Sequence, residues 1–517
     1  MGPLVARHRE RRTLDEAMTS PDAELIAVYG RRRVGKTFLI REACRAAMAF
    51  EQVGIHDGDL AVQLGAFAAA LGRASRSPAP PSPPADWHQA LAQLAAFLAP
   101  RLARRKTKQV VFFDEVPWLA SRRSGFLAAF GHFWNTWASR QPRLVVVLCG
   151  SAASWMLRKL VGDRGGLHNR VTRRIRVEPF ALADAAELLA ARGVDLGPYQ
   201  TTELYMALGG VPHYLAQVRP GESAAQSIDR LCFARDGLLR TEFANLYASL
   251  FERADRHEAV VRALAARRRG MTRTDLLAAV ALGSGGAATK VLDELEESGF
   301  IMQMPRLGRV RRDAVYWLAD EYSLFYLTWI EATRPGPGEV WMRRQGTPAW
   351  RAWSGLAFEA VCLKHVAEIK RALGIASVDT VEASWEQRAG GAVRDGAQID
   401  LVIDRADRST NLCEIKFSEA EFVVDKACAR ELQRKRDAFR AATRTNKALF
   451  VTLVTTYGVR DNEHARGLVG QVVELDALFG RPGQPRMARS AWSDSARTPW
   501  MKMAKRGSLV LPVAKRK

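Results

Sequence analysis

The sequence predicts an α/β protein whose first domain is wound round a parallel sheet, followed by helical segments and a second, smaller α/β domain. Three observations predict it. Short apolar runs alternate with helix-compatible segments across residues 25–180. One run, Leu25–Tyr29, leads into Gly30-Arg31-Arg32-Arg33-Val34-Gly35-Lys36-Thr37, and a helix-compatible stretch from Phe38 to Met48 follows. Another, Val110–Phe113, ends in Asp114-Glu115.

The octet Gly30–Thr37 fits G-x-x-x-x-G-K-[ST] at every fixed position, in the strand–loop–helix context that pattern needs. Its glycines let backbone N–H groups close round phosphates. The Lys36 ammonium would pair with the β- and γ-phosphates, and the Thr37 hydroxyl would enter a Mg²⁺ shell. The expected ligands are therefore ATP and Mg²⁺. The expected contacts are Gly30, Arg31, Arg32, Arg33, Val34, Gly35, Lys36, Thr37 and, opening the helix, Phe38.

The acidic pair completes that chemistry. A buried parallel strand delivers its C-terminal end to the ligand crevice. Asp114 is the candidate Mg²⁺ holder and Glu115 the candidate base that polarises water. A third strand, Leu144–Gly150, ends at Ser151, a candidate γ-phosphate sensor or else a turn cap. Arg170 is a candidate arginine finger, acting in cis or from a neighbouring subunit of a homo-oligomer. Arg173 and Arg174 compete for that role, and a surface role is the alternative.

The remaining chain falls into further segments. Residues 1–180 form the first domain, and the five prolines between Ser75 and Asp86 predict a surface loop within it. Residues 181–254 read as a helical lid, broken at Gly209-Gly210-Val211-Pro212. Residues 255–333 read as a winged helix. Three helical stretches (His257–Arg268, Thr274–Ala281, Ala287–Ser298) precede two strand-like runs, Phe300–Met304 and Ala314–Leu318, whose connection carries Arg306, Arg309, Arg311 and Arg312. Those arginines, with Arg267–Arg269, suit phosphates, whereas Asp293, Glu294, Glu296 and Glu297 on the third helix would repel a duplex. Residues 345–480 give a helix, strands near Ile399–Ile403, Asn411–Lys416 and Ala448–Val454, and a basic helix Lys426–Ala442. From Arg481 the tail holds ten Lys/Arg against Asp494 alone, with little periodicity, and is expected to be flexible.

The C-terminal segment carries a second constellation. Asp400 opens one strand-like run, and Glu414-Ile415-Lys416 closes the next, 14 residues on. Asp400 and Glu414 are candidate Mg²⁺ ligands. Lys416 falls on the face of Glu414 and is suited to orient or deprotonate water. Glu359, in Gly355-Leu356-Ala357-Phe358-Glu359, would reach in from a helix. Solvated strand ends are the alternative. Lys426, Arg430, Arg434, Lys435 and Arg436 are suited to track a nucleic-acid backbone or to line a solvated helix face.

Taken in order, Arg7-His8-Arg9-Glu10, Tyr29–Thr37, Phe113-Asp114-Glu115, Gly150-Ser151, Asn169-Arg170 and Gly209-Gly210-Val211-Pro212 resemble the archaeal-type ATPase family, within the STAND branch of AAA-like P-loop ATPases. The resemblance implies that Arg7 lies by the nucleotide base and Pro212 where a helical lid meets the nucleotide. It also implies that the winged helix is a structural arm. The Asp400, Glu414-x-Lys416 segment resembles the PD-(D/E)xK restriction-endonuclease-like domain that accompanies this family.

Composition bounds the function. A net charge of +22 over 517 residues favours a polyanion partner, DNA or another nucleic acid, against the alternative of scattered solvated charge. The six cysteines form no C-x-x-C pair, so neither a disulfide framework nor a zinc site is indicated. No apolar run reaches the roughly 20 residues needed to span a bilayer, and Met1–Arg12 lacks the apolar core of a secretory signal. A cytoplasmic ATP-driven switch acting on nucleic acid is the expectation. A signalling or scaffold protein whose C-terminal domain only binds is the alternative.

Overall fold

The computed structural model describes residues 4–77, 81–121, 123–161, 169–251, 253–267, 270–308, 314–334, 339–387 and 396–480. The chain divides into two compact units. One comprises Met1–Glu368 with Glu382–Ser384 and Leu478–Arg481; the other comprises Ile369–Val381 and Trp385–Ala477.

The first unit is built on five parallel strands: β1 (Glu24–Tyr29), β2 (Met48–Val53), β3 (Gln109–Asp114), β4 (Leu144–Gly150) and β5 (Arg173–Arg176), in the order β2-β3-β4-β1-β5. Alternate residues of each central strand fill different cores. Leu25, Val111, Phe113, Val146 and Leu148 pack with the helices Leu60–Ser75, Trp87–Arg104 and Phe126–Thr136. Ile26, Val28, Val110, Phe112, Val145 and Val147 pack with Leu14 and Ala17 of the helix His8–Thr19 and with Leu39 and Ile40 of the helix Lys36–Ala43. A sheet covered on both faces needs continuous apolar strands, which is why these read as unbroken runs.

The helix after the phosphate loop is shorter than expected. It ends at Ala43, and Met48 opens edge strand β2. Between Ser75 and Asp86 the described residues are loop, with the Asp86 carboxylate capping the next helix through Gln89 N.

Short helices follow from Leu182 to Ala248. Three more helices, Ala254–Ala266, Arg273–Ala279 and Gly286–Glu297, accompany an antiparallel sheet of β6 (Met271–Thr272), β7 (Ile301–Met304) and β8 (Val315–Leu318) in the order β6-β8-β7. Arg268, Arg269, Arg309, Arg311 and Arg312 lie outside the described residues, as does the basic tail. The third helix is tied to elements around the first sheet through the Glu294 carboxylate and its C-terminal carbonyls. Glu294 pairs with Arg158 at 3.0 Å, and Arg176 of β5 donates to the carbonyls of Glu296 and Glu297 at the helix end.

The second unit carries a mixed sheet in the order β13-β12-β11-β10-β9: β9 (Thr380–Gln387), β10 (Ala397–Arg405), β11 (Ser409–Lys416), β12 (Ala448–Thr455) and β13 (Val469–Glu474). β10 and β11 are antiparallel, while β11, β12 and β13 run parallel. The helix Lys426–Thr443 crosses between β11 and β12. The helix Pro348–Lys364, which carries Glu359, groups with the first unit.

Candidate functional site

The loop Gly30–Thr37 leaves the C-terminal end of β1, beside β3 and β4, and its local geometry follows from its sequence. Gly30 has φ 149°, and a Cβ there would lie 2.1 Å from the Val177 carbonyl oxygen. Only glycine permits that approach. Gly35 has φ 88° and hands the chain to the helix Lys36–Ala43, whose first N–H groups face the loop.

Lys36 folds back into its own loop. Its Nζ donates to the carbonyls of Gly30 and Arg31, both at 2.8 Å, and to Ser151 Oγ at 3.2 Å. The side chain is buried, and burial lowers its pKa against the pull of neighbouring anions. A buried ammonium whose three direct partners are all neutral is matched to an arriving anion.

The three strand ends converge on the same point. Thr37 Oγ1 donates to Asp114 Oδ2 at 2.6 Å, so hydroxyl and carboxylate oxygens already adjoin, a donor set that suits Mg²⁺. Glu115 adopts a left-handed backbone (φ 48°), and its N–H is held by Asp114 Oδ1 at 2.9 Å. Its carboxylate accepts from Ser151 Oγ at 2.7 Å and Ser151 N at 3.3 Å. Lys36, Ser151 and Glu115 thus form one hydrogen-bonded chain.

Arg7 also reaches this loop. Its Nη2 donates to the Val34 carbonyl at 2.9 Å, Nη1 meets Glu10 at 3.1 Å, and its guanidinium lies 4.4 Å over the Phe180 ring. Phe180 N in turn donates to the Gly210 carbonyl at 2.6 Å, which ties the Gly209–Pro212 turn to the same side. Pro212 opens the short helix Pro212–Leu215 and is half-buried. Phe38 is half-buried in the helix after the loop.

The three loop arginines diverge. Arg31 is fully buried against Asp320, Nη1 to Oδ1 at 2.5 Å. Burial opposes both charges, but mutual attraction outweighs it, so the Arg31 pKa is raised and that of Asp320 lowered. Arg32 lies 5.7 Å over the Trp118 ring. Arg33 pairs with Glu242 at 2.8 Å, and Glu242 also accepts from the Tyr214 hydroxyl at 2.9 Å. Sequence reading missed Asp320, Glu242 and Trp118. A signal existed for the first, since Asp320-Glu321 follows the apolar strand β8 as Asp114-Glu115 closes β3.

Arg170 is not brought to the loop. It is exposed, two residues before Thr172, whose N–H donates to the Leu25 carbonyl near the start of β1, whereas the loop leaves that strand's far end. Arg173 pairs with Glu16 at 2.9 Å and Glu24 at 3.3 Å, which gives it a structural role instead.

In the second unit, the register Leu401↔Cys413 sets Asp400 opposite Glu414. Asp400 Oδ2 accepts from Ile415 N at 2.9 Å, and burial together with Glu414 pushes its carboxyl up to about 6. Glu414 is buried, and its two oxygens are met by Lys416 and Lys435, each at 2.7 Å. Asp400, Glu414 and Lys416 are therefore brought together. Lys435, expected to track a backbone or to line a solvated helix face, joins them. Two carboxylates on adjacent strands fit a Mg²⁺ that keeps several waters.

Residues 4–218 match the family model described as an ATPase domain predominantly from Archaea. An uncharacterized protein of Methanocaldococcus jannaschii, MJECL04, is 21% identical over 448 residues, covering 84% of this chain and 91% of its own. Among solved structures, the Walker-type ATPase PABY2304 of Pyrococcus abyssi has a TM-score of 0.45 and 19% identity, covering 63% of this chain and 96% of its own. The Aeropyrum pernix ORC2 protein in its ADPNP-ADP complexes has a TM-score of 0.39 and 13% identity, covering 63% and 94%. The family match spans the phosphate loop, Asp114-Glu115 and Ser151, so residues 4–218 are a P-loop ATPase domain. Among the described residues no helix is long and apolar enough to cross a membrane.

Proposed function

We propose that this chain is an ATP-hydrolysing switch that acts on nucleic acid, DNA first, through a Mg²⁺-dependent PD-(D/E)xK-type site in its second unit. The observation that carries the ATP reading is the buried Lys36 ammonium held by three neutral groups, with the Thr37–Asp114 oxygen pair beside it. Lys36 and the loop N–H groups receive the phosphates. Thr37 and Asp114 hold Mg²⁺, which when bound neutralises charge developing on the phosphoryl oxygens. Glu115 takes a proton from the attacking water, and Ser151, bonded to both Glu115 and Lys36, senses the γ-phosphate. Arg7 and Pro212 line the base side.

The three-helix, three-strand segment is read as a winged helix that serves as an arm. Glu294 of its third helix pairs with Arg158 and Arg176 holds that helix's terminal carbonyls, which leaves the helix poorly placed to read a duplex. A role for Arg170 is assigned in trans, to a neighbouring copy. Asp400, Glu414 and Lys416 supply the second site. A scaffold that binds without cutting is the second reading, favoured by the internal neutralisation of Glu414 by two lysines.

The deciding assay is cleavage of plasmid and linear DNA with Mg²⁺, with and without ATP, in wild type, Asp400→Ala and Lys36→Ala. Cleavage that Asp400→Ala abolishes and Lys36→Ala alters supports the switch-nuclease. ATP hydrolysis without cleavage under any condition supports the scaffold.

A further inference from the structure

We infer that Lys435 is a working member of the second site: it competes with a divalent cation for Glu414 and, once displaced, is the group that holds a phosphate oxygen of the polyanion. The inference rests on reading Asp400 and Glu414 as metal ligands.

The geometry carries it. Glu414 Oε1 is taken by Lys416 Nζ and Oε2 by Lys435 Nζ, both at 2.7 Å. Asp400 already accepts from Ile415 N through Oδ2. Each oxygen of Glu414 already holds one ammonium, so a cation bound there meets like charge at close range until one of them withdraws. Lys416 sits two residues from Glu414 on the same face of β11 and is the lysine read as orienting water at the metal, so it stays. Lys435 comes from another element, the helix Lys426–Thr443, and has no such task. It is therefore the one released.

Charge gives the release a purpose. Two carboxylates and two ammonium groups form a neutral cluster, compact without any ligand. A divalent cation that replaces Lys435 on Glu414 leaves the cluster singly positive and frees an ammonium beside it. That arrangement calls for an anion with several oxygens, and a phosphodiester backbone supplies one.

The test uses the full chain carrying Asp114→Asn, so that the first site does not take the probe. Mn²⁺ binding is read by the EPR signal of the free ion in three forms: this background, with Lys435→Met added, and with Asp400→Asn added. Lys435→Met keeps the apolar stem and removes the competing charge. We expect it to bind Mn²⁺ about five- to tenfold more tightly, while binding of a DNA duplex in Ca²⁺ weakens by a similar factor and Lys435→Arg restores it. Unchanged or weaker Mn²⁺ binding in Lys435→Met, where Asp400→Asn abolishes it, overturns the role of Lys435 and leaves the metal site standing. Mn²⁺ binding that Asp400→Asn does not alter overturns both. Lys435→Gln repeats the measurement if the methionine variant melts early.

Discussion

Arg31 Nη1 lies 2.5 Å from Asp320 Oδ1, and both side chains are buried. A residue inside the phosphate loop is thus bonded to the segment that leaves β8. Asp320 is itself braced, its Oδ2 accepting from Ser323 N at 2.9 Å and Ser323 Oγ at 2.5 Å. Removing one partner strands the other charge away from water. Asp320→Ala is therefore expected to destabilise the first unit by about 3–5 kcal/mol, and Arg31→Met with Asp320→Leu to recover much of that loss. Urea unfolding of the single and double variants checks it. Additive losses would mean that the two residues do not act as a pair.

Glu115 and Lys36 are expected to fail in different ways. Lys36→Ala removes the buried ammonium, so nucleotide affinity itself should fall. Glu115→Gln keeps the hydrogen bond from Ser151 Oγ but cannot take a proton. It should bind ATP normally and hydrolyse it about 10²–10⁴-fold more slowly. Equilibrium binding of a fluorescent ATP analogue beside steady-state phosphate release separates the two. A Glu115→Gln enzyme with wild-type turnover would remove the base assignment.

What could be read ahead was local. The phosphate loop, the strand ending in Asp114-Glu115 and the strand ending at Ser151 announce themselves, because buried parallel strands are continuous apolar runs whose last residue meets the crevice. Strands β2, β9 and β13 carry weaker signals. In β9, half-buried and exposed positions such as Glu382 and Glu386 dilute the pattern, and the helix-compatible run Phe38–Met48 reaches the first residue of β2 because Ala46–Met48 suit either state. The partners of the loop arginines were not legible at all. Arg31 and Asp320 are 289 positions apart, and only the fold brings them into contact. Lys435 was visible as a charge but not as a partner, since which helix face turns to β11 depends on where Leu432 and Phe439 pack.

Two glycines of the loop give a paired prediction. At Gly30 a Cβ would meet the Val177 carbonyl oxygen at 2.1 Å, a backbone atom that cannot move aside without disturbing Val177 N, which is bonded to the Tyr29 carbonyl at 2.8 Å. At Gly35 the space is open and only the positive φ of 88° opposes a side chain. Gly35→Ala should cost about 1–2 kcal/mol, the ordinary penalty for left-handed backbone. Gly30→Ala should cost more and lose nucleotide binding as well. Thermal melting with and without ATP would expose a reversed order, which would mean that the loop tolerates displacement at β1.

His365 is one group that makes the first unit sensitive to acid. Its Nε2 accepts from Leu182 N at 3.0 Å, which requires the proton on Nδ1, where it is donated to the Val361 carbonyl at 2.7 Å. Burial pushes the imidazole down to about 4 from an ordinary 6.5. The folded state therefore resists a proton that the unfolded chain accepts. The resulting stability is fully present above about pH 6.5 and is lost as pH falls toward 4, a span worth about 3 kcal/mol. Protonating Nε2 would also turn an acceptor into a second donor facing the Leu182 N–H. His365→Gln can still accept from Leu182 and does not titrate, so its stability should be lower at pH 7 yet flatter between pH 4 and 6.5. Unfolding midpoints across that range decide it, and parallel wild-type and variant curves would place the acid sensitivity elsewhere.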